Sequence, residues 1–201
     1  MRLLILAFIA LATLAGCGGG KEVWATKEAV ERVAYRAEGP PRLTLFTMIN
    51  NNTGAGAHTS LMINGSQRVI WDPAGSFHHE TIPERNDLLY GITPQVADVY
   101  TRYHARKTYR VRIQTLDVSP ELAERAITLA REAGPVGQAQ CALVTSKIMA
   151  QLFPGKISSG WFPNKLADQF ARIPGVSEQV LHEYDSDDNS KVLAQWTPER
   201  G

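Results

Sequence analysis

The chain has 201 residues, of which 44% are hydrophobic, and its 21 basic and 20 acidic side chains nearly cancel. This length suffices for one domain with a well-covered core and is too short for two comfortable ones. A net charge of +1 provides no field that would attract nucleic acid or an anionic membrane surface, which argues against both as charge-driven partners.

The first predicted element is a cleaved signal peptide at residues 1–16. Met1-Arg2 supplies a short positive region, Leu3 to Leu14 an apolar stretch too short to span a bilayer, and Ala15-Gly16 the small residues that a signal peptidase requires. The alternative is an ordinary secretory signal followed by an incidental cysteine. Residues 17–22 are predicted to form a glycine-containing flexible tether, and residues 23–201 a single domain.

The run Leu14-Ala15-Gly16-Cys17 resembles the bacterial lipobox. The resemblance implies that Cys17 is acylated and becomes the first residue of the mature protein, so that a lipid attaches the chain to a membrane. In lipobox proteins an aspartate after the cysteine favours the inner membrane, and Gly18 stands at that position here. We therefore expect a lipid anchor in the bacterial outer membrane, with the protein facing the periplasm.

The domain that follows is predicted to be α+β. Periodicity and capping signals predict, in chain order, a helix at 26–35, strands at 43–49, 58–63 and 67–72, a helix at 94–103, a strand at 109–116, and helices at 120–132, 138–153 and 163–171. Asn64-Gly65 is a strong hairpin signal between the second and third strands. This order favours an antiparallel sheet that packs against helices.

Cys141 is the first candidate for chemistry. The chain has two cysteines, and if Cys17 carries the lipid, Cys141 has no disulfide partner in an oxidising compartment. Cys141 lies near the start of a predicted helix, where free N–H groups and the helix dipole lower a thiol's pKa and can hold an oxyanion. The alternative is that Cys141 packs as a small hydrophobe beside Ala142, Leu143 and Val144.

A reactive thiol requires a cationic partner, and His58 is the candidate among five histidines. His58 opens a predicted strand directly after Gly54-Ala55-Gly56-Ala57, where small residues leave room for a substrate backbone. The sequence therefore favours His58 as the base that serves Cys141.

The other polar clusters are interpreted as solvated. His78-His79 with Glu80 has no third metal ligand, and His104 and His182 are interpreted as surface residues. The acidic run Asp185 to Asn189 lacks the spacing of a calcium loop. No phosphate-binding loop or closed set of metal ligands is found, so no cofactor is predicted.

Asp72, in Trp71-Asp72-Pro73, is the predicted orienting group for His58. A two-residue Asn64-Gly65 turn would place His58 opposite Trp71, with Asp72 on the other face. A loop of Asn64-Gly65-Ser66, or a bulge, would place Asp72 opposite His58, and we favour this register. The alternative role for Asp72 is to cap the turn that it forms with Pro73-Ala74-Gly75.

The order of these residues resembles the circularly permuted branch of the NlpC-type papain-like hydrolases, which includes lecithin retinol acyltransferase relatives. The matching segments are Ala57 to Leu61, Val69 to Gly75 and Gln140 to Leu143, within a region of roughly residues 43 to 155. The resemblance implies a papain-like core, a thioester acyl-enzyme and substrates that carry an amide or ester. Many members have asparagine or aspartate where this chain has Gln140, and several have histidine where we place Asp72.

The predicted protein is thus a cysteine hydrolase that acts on an amide bond in cell-wall peptides. Cys141 is the nucleophile, His58 the general base and then acid, and Asp72 holds the imidazole tautomer. A second hypothesis uses the same triad on a lipid or other ester, as a deacylase or acyltransferase, with Trp161-Phe162-Pro163 suited either to an acyl chain or to core packing. A third is a non-catalytic envelope lipoprotein in which Cys141 is inert.

Overall fold

The computed structural model describes residues 20–196. The predicted signal peptide at residues 1–16 and the predicted lipid-bearing Cys17 lie outside the described residues, so both stay predictions. Within residues 20–196, no helix has the length and apolar character needed to cross a membrane.

Seven strands of the described chain form one antiparallel sheet. They are β1 (Arg42–Asn50), β2 (Gly56–Asn64), β3 (Arg68–Trp71), β4 (Glu84–Arg85), β5 (Leu88–Leu89), β6 (Tyr109–Asp117) and β7 (Ser177–Leu181). Their order across the sheet is β4-β5-β3-β2-β1-β6-β7. The helices of the described chain are α1 (Lys27–Arg32), α2 (Pro94–His104), α3 (Pro120–Glu132), α4 (Cys141–Leu152), α5 (Pro163–Phe170) and α6 (Ser190–Gln195). The predicted α+β class with an antiparallel sheet is confirmed.

The sheet is buried on both faces because side chains alternate along its central strands. Leu43 and Leu45 of β1 pack with Leu61 of β2 in a core that α3, α4 and α5 complete. Phe46 and Met48 of β1 belong to a second core, on the face that α2 covers. The same alternation directs even-numbered residues of β2 towards α2.

Capping side chains mark the starts of three of the six described helices. The side chains of Thr26, Thr93 and Ser119 accept hydrogen bonds from the first turns of α1, α2 and α3. Helix α4 begins at Cys141 rather than at the predicted Gln138, because Ala139 has a φ of 63°, which no residue of a right-handed helix adopts.

The hairpin between β2 and β3 corrects the predicted register. Asn64 pairs with Arg68 and Leu61 with Trp71, so the loop is residues 65–67 rather than the favoured Asn64-Gly65-Ser66 or the two-residue Asn64-Gly65 turn. If this pairing is continued by one residue beyond Leu61 and Trp71, Asp72 stands opposite Ser60 and not opposite His58. The loop is held by α3, where the Glu124 carboxylate accepts bonds from the Ser66 N–H and, at 3.0 Å, from the Ser66 hydroxyl.

Four elements were not predicted from the sequence: β4, β5, β7 and α6. Strands β4 and β5 have two residues each, and four of the five residues of β7 are exposed. Such segments carry no hydrophobic alternation that would reveal a strand.

Replacing Glu124 by alanine removes both contacts with the hairpin loop. Because charge-assisted hydrogen bonds at a partly exposed site have a modest net value, we expect the free energy of unfolding to fall by about 1 kcal/mol. Urea unfolding measures it, with Glu132→Ala on the same helix as the control. Equal stability of the two variants would contradict the contribution of Glu124 to the turn.

Candidate active site

The candidate site lies beside the part of β2 that extends past the end of its neighbour β3. Pairing between β2 and β3 covers Leu61 to Asn64 of β2, whereas β1 also pairs with residues 58–60 of β2. The backbone of Thr59 therefore has no strand partner on the β3 side. The thiol of Cys141, the first residue of α4, reaches the Thr59 N–H in this gap.

Asp72 and His58 form a partly buried hydrogen-bonded pair. His58 Nε2 lies 2.7 Å from Asp72 Oδ1, and the Asp72 side chain is 3% exposed. Since Asp72 stands opposite Ser60, it reaches His58 as a diagonal neighbour on the same face of the sheet. The predicted contact is thus present, although the register that was to produce it is wrong.

The rest of the Asp72 environment also orients its carboxylate. The Tyr100 hydroxyl lies 2.8 Å from Asp72 Oδ1 and 2.7 Å from Ser60 Oγ. Because a carboxylate can only accept hydrogen bonds, the Tyr100 hydroxyl donates its hydrogen bond to Asp72 and accepts one from the Ser60 hydroxyl. The turn after Asp72 is closed by its main-chain carbonyl, which accepts from the Gly75 N–H at 3.0 Å. The turn therefore leaves the carboxylate free for His58.

Cys141 and His58 shift each other's pKa values. Burial alone raises the pKa of the Cys141 thiol, but the hydrogen bond and charge of His58, with the N–H groups of Thr59 and Ala142, bring that pKa below its ordinary value. Burial alone lowers the pKa of His58, but hydrogen bonds and charges of Asp72 and Cys141 raise it to about 10. With Nε2 bound to Asp72, Nδ1 is the ring nitrogen left for Cys141.

These shifts favour the thiolate–imidazolium pair over the neutral thiol and imidazole. Asp72 remains ionised because, although burial raises its pKa, the hydrogen bond and charge of His58 bring it below the ordinary value. A thiolate at a helix N-terminus beside a cationic imidazole is a ready nucleophile for a carbonyl carbon.

His104 is not a surface residue, which corrects the sequence interpretation. It ends α2, and its ring is stacked on the His58 ring at a centroid distance of 6.0 Å and an angle of 19°. Burial lowers the pKa of His104 to about 4, so its ring is neutral. The signal that could have found it is its i+4 spacing from Tyr100, on the apolar face of an amphipathic helix.

The remaining polar clusters form hydrogen bonds of their own or are exposed. His78 is exposed and its Nδ1 lies 2.9 Å from Glu84 Oε2, so its partner is Glu84 rather than Glu80. His182 is exposed, as predicted. In the acidic run, Asp187 accepts hydrogen bonds from the N–H and hydroxyl of Thr108.

A cavity of about 340 Å³ opens beside His58, on the α2 face of the sheet. His104 and Tyr103 form part of its wall, and Arg106 contributes a guanidinium whose side chain is 7% exposed. Arg106 Nε donates to the Ser186 carbonyl, and its Nη1 lies 3.7 Å from Asp185 Oδ2. Asp187 also lines the cavity, so the wall combines an imidazole, a guanidinium and a carboxylate.

Two exposed aromatic residues lie on a loop next to the site. Trp161 is 57% and Phe162 61% exposed, so neither is a core residue. The Gly160 N–H donates to Ser146 Oγ on α4, and Asn164 Nδ2 donates to the Gly54 carbonyl, before the His58 strand. The loop is thus fastened to both segments that carry the site.

Comparisons with known proteins find no family model, no curated protein and no solved structure that matches this chain.

Replacing Gly75 by alanine would place a Cβ 1.9 Å from Asp72 Oδ2. We expect the carboxylate to be displaced, the free energy of unfolding to fall by about 1–3 kcal/mol, as for overpacking, and the pKa of His58 to fall towards 6.5. Urea unfolding and NMR titration of His58 measure the two effects. Gly160→Ala is the control, because nothing lies within 4 Å of its added Cβ. If the Gly75 and Gly160 variants have the same stability and the same His58 pKa, the close approach of Gly75 to the Asp72 carboxylate is contradicted.

Proposed function

We propose that this protein is a cysteine hydrolase with a papain-like core of the permuted NlpC type, and that it cleaves an amide bond in cell-wall peptides. The observation that carries the proposal is the buried hydrogen-bonded series Cys141, His58 and Asp72, with Cys141 at a helix N-terminus. The order of the elements also supports it, since the histidine strand precedes the cysteine helix, as in the permuted branch.

In the first half of the reaction the Cys141 thiolate attacks the carbonyl carbon of the amide. The negative charge moves to the carbonyl oxygen, which first-turn N–H groups of α4 can bind, because no side chain caps this helix. The His58 imidazolium then gives its proton to the leaving nitrogen, the C–N bond breaks and a thioester forms.

In the second half, neutral His58 takes a proton from water, and the hydroxide formed attacks the thioester. Collapse of this intermediate breaks the C–S bond and releases the carboxylic acid, while the thiolate and imidazolium are restored. Asp72 keeps Nε2 protonated throughout, so that Nδ1 faces the reacting atoms.

Two features support a peptide as the substrate. The cavity beside His58 is lined by both Arg106 and Asp187, so it offers a donor and an acceptor for the polar groups of a peptide. The predicted lipid on Cys17 would hold the domain at the periplasmic face of the outer membrane, within reach of peptidoglycan.

One observation favours the second candidate, a lipid or ester deacylase or acyltransferase. The exposed Trp161 and Phe162, on a loop fastened to α4 and to the segment before His58, offer an apolar surface for an acyl chain. The same triad would then act on an ester.

The first experiment is the pH dependence of Cys141 alkylation, followed by mass spectrometry of the tryptic peptide Glu132 to Lys147. We expect an apparent thiol pKa below the free-cysteine value of about 8.5. In His58→Ala it rises above that value, because burial remains and the cation is lost. In Asp72→Asn it rises part of the way, because the imidazolium loses its charged partner.

His182→Ala, at an exposed histidine, is the matched control and should leave the alkylation profile unchanged. A thiol that does not react, or that is indifferent to His58, would overturn the proposal and make this chain a non-catalytic envelope lipoprotein.

A second experiment separates the two substrate classes with the double variant Trp161→Ser, Phe162→Ser. For the peptide hydrolase we expect kcat/KM on a cell-wall peptide to equal that of the unmodified protein. A selective loss of about tenfold on a long-chain acyl ester, relative to a short-chain ester, would favour the lipid candidate, since it corresponds to about 1.4 kcal/mol of lost apolar contact. Tyr184→Ser, at an aromatic residue that is 86% exposed, is the control.

A further inference from the structure

We propose that His58, Asp72 and His104 form a binding site for a divalent transition-metal ion of the Zn²⁺ type, which inhibits the enzyme when it is occupied. The binding half of this proposal needs only the three side chains, whereas the inhibitory half rests on the proposed function. The site uses His104, a buried residue that the reaction itself does not require.

The three residues are already close enough to share an ion. One ligand atom from each lies within 4.8 Å of the other two. In tetrahedral coordination, bonds of about 2.0–2.1 Å to Zn²⁺ place two ligand atoms about 3.4 Å apart. Any pair near the 4.8 Å limit must therefore approach by up to about 1.4 Å, while His58 Nε2 and Asp72 Oδ1, at 2.7 Å, separate by about 0.7 Å.

His104 is prepared as a ligand by its own hydrogen bond. Its Nδ1 lies 2.8 Å from the Tyr100 carbonyl oxygen, which can only accept, so Nδ1 carries the ring proton and Nε2 the lone pair. Metal-binding histidines characteristically donate their second ring N–H to a backbone carbonyl or carboxylate in this way.

Asp72 and the cavity complete the arrangement. The Tyr100 hydroxyl donates to the Asp72 carboxylate, which fixes the orientation of this ligand as outer hydrogen bonds do in metal sites. The cavity of about 340 Å³ is lined by both His58 and His104, so it provides an entry path and room for a water as fourth ligand. The imidazole nitrogens select Zn²⁺ or Co²⁺ over Mg²⁺ and Ca²⁺, which prefer oxygen ligands.

Occupation would remove the acid–base function of His58. The metal takes the place of the proton that Nε2 shares with Asp72, and one proton is released to solvent. The ring keeps a single proton on Nδ1, but as a neutral, metal-bound imidazole it is a much weaker acid than the imidazolium. Transfer of this proton to the leaving nitrogen, and with it formation of the thioester at Cys141, would then be slowed.

The test is calorimetric titration of ZnCl₂ into the full-length Cys141→Ala protein at pH 7, in two buffers of different ionisation enthalpy. This variant has no thiol at the site, so binding reports the histidine–aspartate cluster alone. We expect one ion per chain at this cluster, release of a proton, and competition by Co²⁺ but not by Mg²⁺. Adding His104→Phe should weaken binding at least tenfold, and His104→Gln, which keeps a polar side chain, should do the same.

His78→Ala is the matched control, because His78 also faces a carboxylate, that of Glu84, at 2.9 Å. It should leave the affinity of the cluster unchanged. Absence of binding in Cys141→Ala, binding that is lost in His78→Ala, or binding that is indifferent to both His104 variants would each overturn the metal site.

The inhibitory half is tested in the protein that retains Cys141. Saturating Zn²⁺ should slow hydrolysis, and His104→Phe should abolish the sensitivity at the same Zn²⁺ concentration. Zn²⁺ that binds without slowing hydrolysis would contradict inhibition but not the metal site. Failure of the proposed function would instead appear in the metal-free alkylation profile, which does not involve His104.

Discussion

The buried hydrogen bond between His58 and Asp72 is the interaction around which the rest of the site is arranged. A carboxylate that is 3% exposed is stable only if charged or hydrogen-bonded groups replace its water. His58 supplies the charge, and the Tyr100 hydroxyl donates a hydrogen bond. Gly75 leaves room for the carboxylate, because a Cβ at this position would overlap with it. Because these partners come from β2, α2 and the turn after β3, the pair also holds three elements together.

The two stacked imidazoles illustrate how one environment produces opposite charge states. His58 and His104 are both partly buried, and the loss of solvent lowers the pKa of each. Only His58 has a hydrogen bond to Asp72 and to Cys141, and its pKa rises to about 10, whereas that of His104 falls to about 4. The positive charge on the first ring itself disfavours a second one. One ring is therefore a cation beside the thiol, and the other is a neutral donor of a lone pair.

The length of β3 is the feature of the fold that makes room for this chemistry. Were β3 longer, its backbone would pair with residues 58–60 of β2 and occupy the place of the Cys141 thiol. Its end at Trp71 leaves the Thr59 N–H to the sulfur and directs Asp72 to the same face as His58. Cys141 of the helical layer and His58 of the sheet meet at this point because no strand lies between them.

The sequence by itself determined the α+β class, the principal helices and strands, and Cys141, His58 and Asp72 as the residues to examine. Each rests on a local signal, such as a cap, an alternation, a helix start or a glycine-rich approach. Only the tertiary structure decided the hairpin register, which depends on Glu124 of α3, the stacking of His104 on His58, and the exposure of Trp161 and Phe162. These features arise from contacts between segments distant in the chain, and neither spacing nor propensity encodes which distant segment packs against which.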